Sequence, residues 1–124
     1  MVGALFDSNI LIDHLKGLPE AAEEIALYTD RAFSIVTWIE VMAGVQPDQA
    51  AHVRAFLEAI PAVPLTPAIA ERAVTIRRES RLRLPDAVIW ATAQVEGRLL
   101  VTRNTRDFPA NAPDVRHPYP APSR

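Results

Sequence analysis

Four acidic residues, Asp7, Glu40, Asp86 and Asp107, stand beside short apolar runs in a chain of 124 residues that has no cysteine. Carboxylates gathered in one place repel one another and resist ionising unless a cation neutralises them. Hard oxygen donors of this kind suit Mg2+, with Mn2+ as a substitute. An ion held in that way activates water and polarises the bond to be broken, so these residues point to metal-assisted hydrolysis if the fold brings them together. Other chemistries are closed off. Without cysteine there is no thiolate nucleophile, thiolate metal site or disulfide. His14, His52 and His117 are far apart and lack metal-ligand spacing, and no Ser–His arrangement is evident.

Each acid also has an ordinary structural reading. Thr37-Trp38-Ile39-Glu40 fits the S/T-x-x-E capping box, in which Glu40 only satisfies a helix N-terminal amide. Asp86 after Pro85 complements a helix dipole. Asp7 and Ser8 can cap a first helix, and Asp107 can close a turn before Phe108. Ser8, Thr102 and Asn104 are short polar side chains beside the acids, suited either to holding carboxylates in place or to plain caps and turns. Arg103 and Arg106 flank the last acid and are candidate phosphate contacts. Arg72, Arg77, Arg78, Arg81 and Arg83 crowd one helix and its exit, as a solvated helix face does. Trp38 and Trp90 are expected to fill the core.

The elements that must position these residues follow from the apolar pattern. Residues 2–6, 32–37, 62–65 and 99–102 read as short buried strands. Helices are predicted after the capping residues Asp7-Ser8-Asn9, through Ile10, Leu11 and Leu15 to near Gly17, then from Pro19 toward Tyr28, from Trp38 to Gly44, from Pro47 to Ile60, from Pro67 to about Leu82 and from Pro85 to Gly97. Glu40 then falls in the first turn of its helix. The last 16 residues hold five prolines, leaving room only for a short edge strand near Val115. Strands alternating with helices make an α/β layer fold around a mostly parallel sheet of four to five strands. Ligand crevices of such folds lie at the carboxyl ends of the strands. Asp7, Glu40, Asn104 and Asp107 follow strands, and Asp86 opens a helix that runs back antiparallel to them, so topology sends all four carboxylates to one rim.

Length predicts one domain over residues 1–124, with a Pro-rich tail from about 109. The formal charge is −2, but setting aside the four acids leaves eleven acidic against thirteen basic residues, twelve of them arginine. The charge neither opposes nor favours a polyanionic partner. No basic leader precedes Asp7, and no apolar run approaches a membrane span, so a cytoplasmic protein with no membrane contact is expected.

Four stretches resemble the motifs of PIN-domain nucleases, in order. Residues 5–12, Leu-Phe-Asp-Ser-Asn-Ile-Leu-Ile, look like the opening strand and helix of that family. Residues 34–44 around Glu40 resemble the second acidic motif, residues 83–93 around Asp86 the third, and residues 100–108 around Asp107 the fourth. The length suits the VapC-type toxins of bacterial toxin–antitoxin pairs. The resemblance implies a PIN-like three-layer sandwich and a Mg2+-dependent endoribonuclease with RNA as substrate. It also implies a homodimer silenced by a small VapB-type antitoxin in a heterocomplex. Many relatives have Asp where this chain has Asn104, which leaves Asp107 as the fourth acid. On that basis Asp7 and Asp86 would bind the principal ion, with Glu40 and Asp107 at a second ion or its waters. Leu15, Leu18 and Ile25 are expected to expose an apolar groove for the antitoxin.

Rival classes fit less well. A phosphotransfer receiver needs a late lysine, and Lys16 is the sole lysine. Haloacid-dehalogenase-type phosphatases need D-x-D where this chain has Asp7-Ser8-Asn9, and no phosphate-binding G-x-x-x-x-G-K loop exists. The remaining alternative is a catalytically inactive binding module on the same fold.

Overall fold

A computed structural model describes residues 2–122. The chain runs β1 (Ala4–Phe6), α1 (Ser8–Leu15), α2 (Pro19–Ala26), β2 (Arg31–Ser34), α3 (Ile35–Ala43) and a 3-10 turn at Pro47–Gln49. It continues through α4 (Ala50–Glu58), β3 (Ala62–Val63), α5 (Pro67–Glu79), α6 (Leu84–Glu96), β4 (Leu99–Val101) and β5 (Val115–Arg116). The five strands form one sheet in the order β3-β2-β1-β4-β5, and every pairing among them is parallel. Parallel strands need crossovers, and helices supply them, so both faces of the sheet are covered. The expected α/β sandwich is therefore the observed one.

Alternation along the strands divides the core in two. Leu5, Ala32 and Leu100 face α5 and α6, where Ile69, Ile76 and Ile89 meet them. Ala4, Phe6, Phe33 and Val101 face the opposite layer, against Ile10 and Leu11 of α1, Val41 of α3 and Leu57 of α4. Burying each large apolar side chain contributes about 1.5–3 kcal/mol. Gly97 closes α6 at φ +66°, where a side chain would be strained. The Arg98 N–H then donates to the Ala93 carbonyl at 2.8 Å and the chain turns into β4.

Several element boundaries differ from the sequence expectation. The strand read as 32–37 ends at Ser34, whose hydroxyl accepts the Val36 N–H at 3.0 Å and caps α3. The β-branched run Ile35-Val36-Thr37 favours a strand by propensity, but the cap and the packing of α3 override it. Thr37 therefore lies inside the helix, the capping box does not form, and Glu40 sits in the second turn rather than the first. The helix expected from Pro47 is a 3-10 turn followed by α4. The third strand stops before Pro64, which has no N–H to give a ladder. The helix expected to reach Leu82 ends at Glu79, where the extended Ser80 donates its hydroxyl to the Ile76 carbonyl. Ile25, expected to be exposed, is 8% exposed and belongs to the core. The expected edge strand is present as β5. Among the described residues no helix is long and apolar enough to cross a membrane.

Candidate active site

β1 and β4 are neighbours whose connections leave in opposite directions, through β2 and β3 on one side and β5 on the other. Their carboxyl ends form a topological switch point, where open parallel sheets bind ligands. A cavity of about 560 Å3 opens there, and Asp7, Glu40, Asp86 and Asp107 all line it. Ser8, Asn9, Arg83, Arg103, Asn104 and Arg106 complete most of the wall.

Asp7 follows β1 and is tied to β4 by its backbone N–H, which donates to the Val101 carbonyl at 2.9 Å. Its carboxylate both caps α1 and lines the cavity. Oδ1 accepts the Ser8 N–H at 2.7 Å, while Oδ2 accepts the Thr102 hydroxyl at 2.8 Å and the Asn9 amide at 3.2 Å. The side chain is buried, and among the described residues no arginine, lysine or histidine pairs with it. Burial pushes its carboxyl up to about 6, against the pull of Thr102 and Ser8, and the charges of Asp86 and Glu40 push the same way.

Glu40 projects from α3 and its Oε1 accepts the Ser8 hydroxyl at 2.5 Å; Ser8 in turn lies 3.2 Å from the buried Thr37 hydroxyl. Asp86, half-buried in the first turn of α6, is raised by burial and by the charges of Asp107 and Glu40, with Arg83 and Arg106 opposing. Asp107 is bracketed by Asn104, which donates its amide to Oδ2 at 2.9 Å and accepts the Asp107 N–H at 3.1 Å. The charges of Glu40, Asp86 and Asp107 thus bear on Asp7 or Asp86 across the one cavity.

Of the expected basic contacts, Arg106 is open, its side chain 84% exposed and 3.8 Å from Asp107. Arg103 lines the cavity, but its guanidinium is engaged by Asp13 through two hydrogen bonds, at 2.6 and 3.2 Å. Sequence reasoning passed over Asn9, which bridges Asp7, Thr102 and the Arg103 N–H. It also missed Arg83 as a wall residue, and Asp13 and Tyr119, which hold Arg103. A signal for Asp13 existed in the sequence: a lone acid following Ile10-Leu11-Ile12 needs a partner. Trp38 and Trp90, expected to fill the core, are partly buried against it, with Trp90 packing on Phe108 and donating to Asp114 at 2.9 Å.

The donor set is four carboxylates, hard oxygen ligands; hydroxyls and amides hold Asp7, Glu40 and Asp107, and Arg106 stands beside Asp107. That suits a divalent cation. Among the described residues no three acids or histidines close around one point as a ready cage. Mg2+ has little need of one, since it retains several waters and takes one or two carboxylates.

The sequence profile described as the PIN domain matches residues 4–112. Among curated proteins, Ribonuclease VapC19 of Mycobacterium tuberculosis is 34% identical, over 93% of this chain and 98% of its own length. Ribonuclease VapC10 of the same organism is 32% identical, over 85% of each chain. Among solved structures, a toxin–antitoxin complex from Klebsiella pneumoniae contains a chain 43% identical, with a TM-score of 0.90 and coverage of 96% of this chain and 100% of that one. A DNA-bound VapBC from Salmonella typhimurium gives 25% identity and a TM-score of 0.78, over 94% and 96% of the two chains.

Proposed function

The chain belongs to the PIN domain family, and from that premise we propose that it is a Mg2+-dependent endoribonuclease, the toxin of a type II toxin–antitoxin pair. One observation carries the reading: carboxylates from four separate segments line a single cavity at the switch point of the sheet. The relatives named as ribonucleases support the reaction, and the structural neighbours that are toxin–antitoxin complexes support the biological pairing.

Asp7 and Asp86 would hold the principal ion, with Glu40 and Asp107 facing a second ion or its waters. When bound, such an ion polarises the scissile phosphate and lowers the pKa of a coordinated water. The chain itself contributes orientation. Thr102 and Asn9 fix Asp7 Oδ2, Ser8 fixes Glu40, and Asn104 fixes Asp107, so these three carboxylates are oriented before substrate arrives. Arg106 and Arg83, exposed on the wall, would meet RNA phosphates, giving affinity without sequence readout. No side-chain nucleophile is required.

The antitoxin would lie beside this cavity. A groove of about 320 Å3 between α1, α3 and α4 has an apolar floor that includes Ile12, Leu15 and Val45 and a polar rim that includes Lys16, Glu40 and His52. An amphipathic helix fits such a groove. Copurification of the neighbouring small gene product, and the mass of the free toxin in solution for the homodimer, test these two associations.

The decisive experiment for the reaction is digestion of a mixed RNA pool by the purified chain with Mg2+ or Mn2+, against EDTA, beside Asp7→Asn and Asp86→Asn. Cleavage by wild type alone, abolished by EDTA, is expected. Equal cleavage by either variant would refute the scheme.

A further inference from the structure

Arg103 stands between two acidic groups and binds only one of them. In α1, Asp13 is 4% exposed. Its Oδ2 accepts from Arg103 Nε at 2.6 Å and from the Tyr119 hydroxyl at 2.9 Å, and its Oδ1 accepts from Arg103 Nη2 at 3.2 Å. Arg103 also lines the acidic cavity. Its backbone follows Thr102, which holds Asp7, and its N–H donates to Asn9, which also holds Asp7. The Asp7 charge already acts on the Arg103 guanidinium. A guanidinium is always charged and takes carboxylates bidentately. Asp7, buried and without a cation partner among the described residues, is therefore the competing acceptor within the same neighbourhood.

We propose that Asp13, assisted by Tyr119 from the Pro-rich tail, is a retaining counter-ion that holds the Arg103 guanidinium out of the acidic cavity and so keeps the cavity open to a divalent cation. Asp13 is a positioning residue that acts through Arg103. With the Asp13 charge removed, Arg103 turns to Asp7 and becomes an internal competitor for the cation's place. The Asp13–Arg103 pair is thus part of the site without touching substrate. The inference rests on the divalent-cation reading above, and its test separates the two.

The test is calorimetric titration of Mn2+ into the full chain, its Asp13→Asn variant and the double variant Asp13→Asn with Arg103→Gln. An Arg103 that fills the cavity about nine-tenths of the time weakens apparent affinity about tenfold. That loss is expected in Asp13→Asn, with return to about twofold of wild type in the double variant. Removing a charge also acts through space, so the titrations are repeated at about 0.5 M KCl, where distant charges are screened and a direct contact persists. The loss is expected to remain there. Asp13→Glu, which keeps a carboxylate for Arg103, should bind Mn2+ as wild type does. A cooperative thermal melt of Asp13→Asn precedes titration, and Asp13→Ser replaces it if Asn is not tolerated. Unchanged affinity in the uncharged variant, a loss that vanishes at high salt, or a loss that Arg103→Gln does not reverse would overturn the proposal. Failure of wild type to bind Mn2+ would overturn the divalent-cation reading beneath it.

Discussion

Asp7, Asp13 and Glu24 are each 4% exposed, yet among the described residues only two of them have a cation beside them. Asp13 holds Arg103 and Tyr119. Glu24 holds Arg116 at 2.6 and 2.9 Å and the Tyr28 hydroxyl at 2.7 Å. Among the described residues, Asp7 has a hydroxyl and amides only. The electrostatic consequences diverge accordingly. Burial pushes the Glu24 carboxyl up, but Arg116 and Tyr28 outweigh it and bring it below the ordinary range. At Asp7 burial wins and the carboxyl rises to about 6. Pairing offsets the cost of burial at Glu24, while at Asp7 the hydroxyl and amide donors do not. The paired acids fasten β5 and the tail to α1 and α2, while Asp7 lines the cavity with no cation partner among the described residues.

Removing a partner from the paired region should have the largest effect. Arg116→Ala strands a buried Glu24 and should cost about 3 kcal/mol, at the low end for a buried pair because the arginine is half open to solvent. Urea unfolding at neutral pH measures it, and a cost below about 1 kcal/mol would erase the contrast between the regions.

The unpaired region should respond to pH in its own way. A folded carboxyl raised from 3.8 to about 6 keeps a proton that the unfolded chain releases. The stability it gives is complete below its unfolded value and is lost as pH rises through about 6, about 2–3 kcal/mol in all. Glu24 acts in the opposite sense, lending stability that is lost on acidification, so the clean quantity is the difference between wild type and Asp7→Asn without divalent ions. That difference should grow in favour of the variant as pH rises from about 4 to 7. A flat difference would show that Asp7 is not strained by burial.

At neutral pH alone, the same Asp7→Asn change should stabilise the ion-free chain by about 1–2 kcal/mol, because removing the buried charge outweighs the loss of the Thr102 and Asn9 bonds, while the one amide oxygen still accepts the Ser8 N–H. Destabilisation of that size would instead make Asp7 a structural cap before anything else. The smallest effect is expected at Ser8→Ala, which frees Glu40 from its hydroxyl. RNA cleavage should slow by about fivefold, close to 1 kcal/mol, with the melting temperature nearly unchanged. A parallel fall in melting temperature would assign Ser8 to the fold alone.

Most of the architecture was legible because strand and helix periods differ and the prolines and glycines fall at element ends. The convergence of Asp7, Glu40, Asp86 and Asp107 followed from topology, since parallel strands deliver their carboxyl ends to one rim. What escaped was set by single side chains rather than by periodicity. Ser34 stopped β2 three residues early and moved Glu40 a turn along its helix, an outcome that β-branched propensity points away from. Arg103 looked like a phosphate contact by its place beside the rim, but its guanidinium reaches back across the fold to Asp13. Arg116 and Tyr119 sit in a proline-rich tail whose sequence gives no hint of buried acids in α1 and α2. Long-range pairing of this kind leaves no local pattern to read.

The most direct test of the central claim is calorimetric titration of Mn2+ into the wild-type chain, Asp7→Asn and Asp86→Asn at about pH 5 and about pH 7. Wild type should bind, more tightly at the higher pH as the Asp7 carboxyl gives up its proton, and both variants should lose that binding. Absence of binding by wild type, or equal binding by the Asp7 variant, would contradict the account.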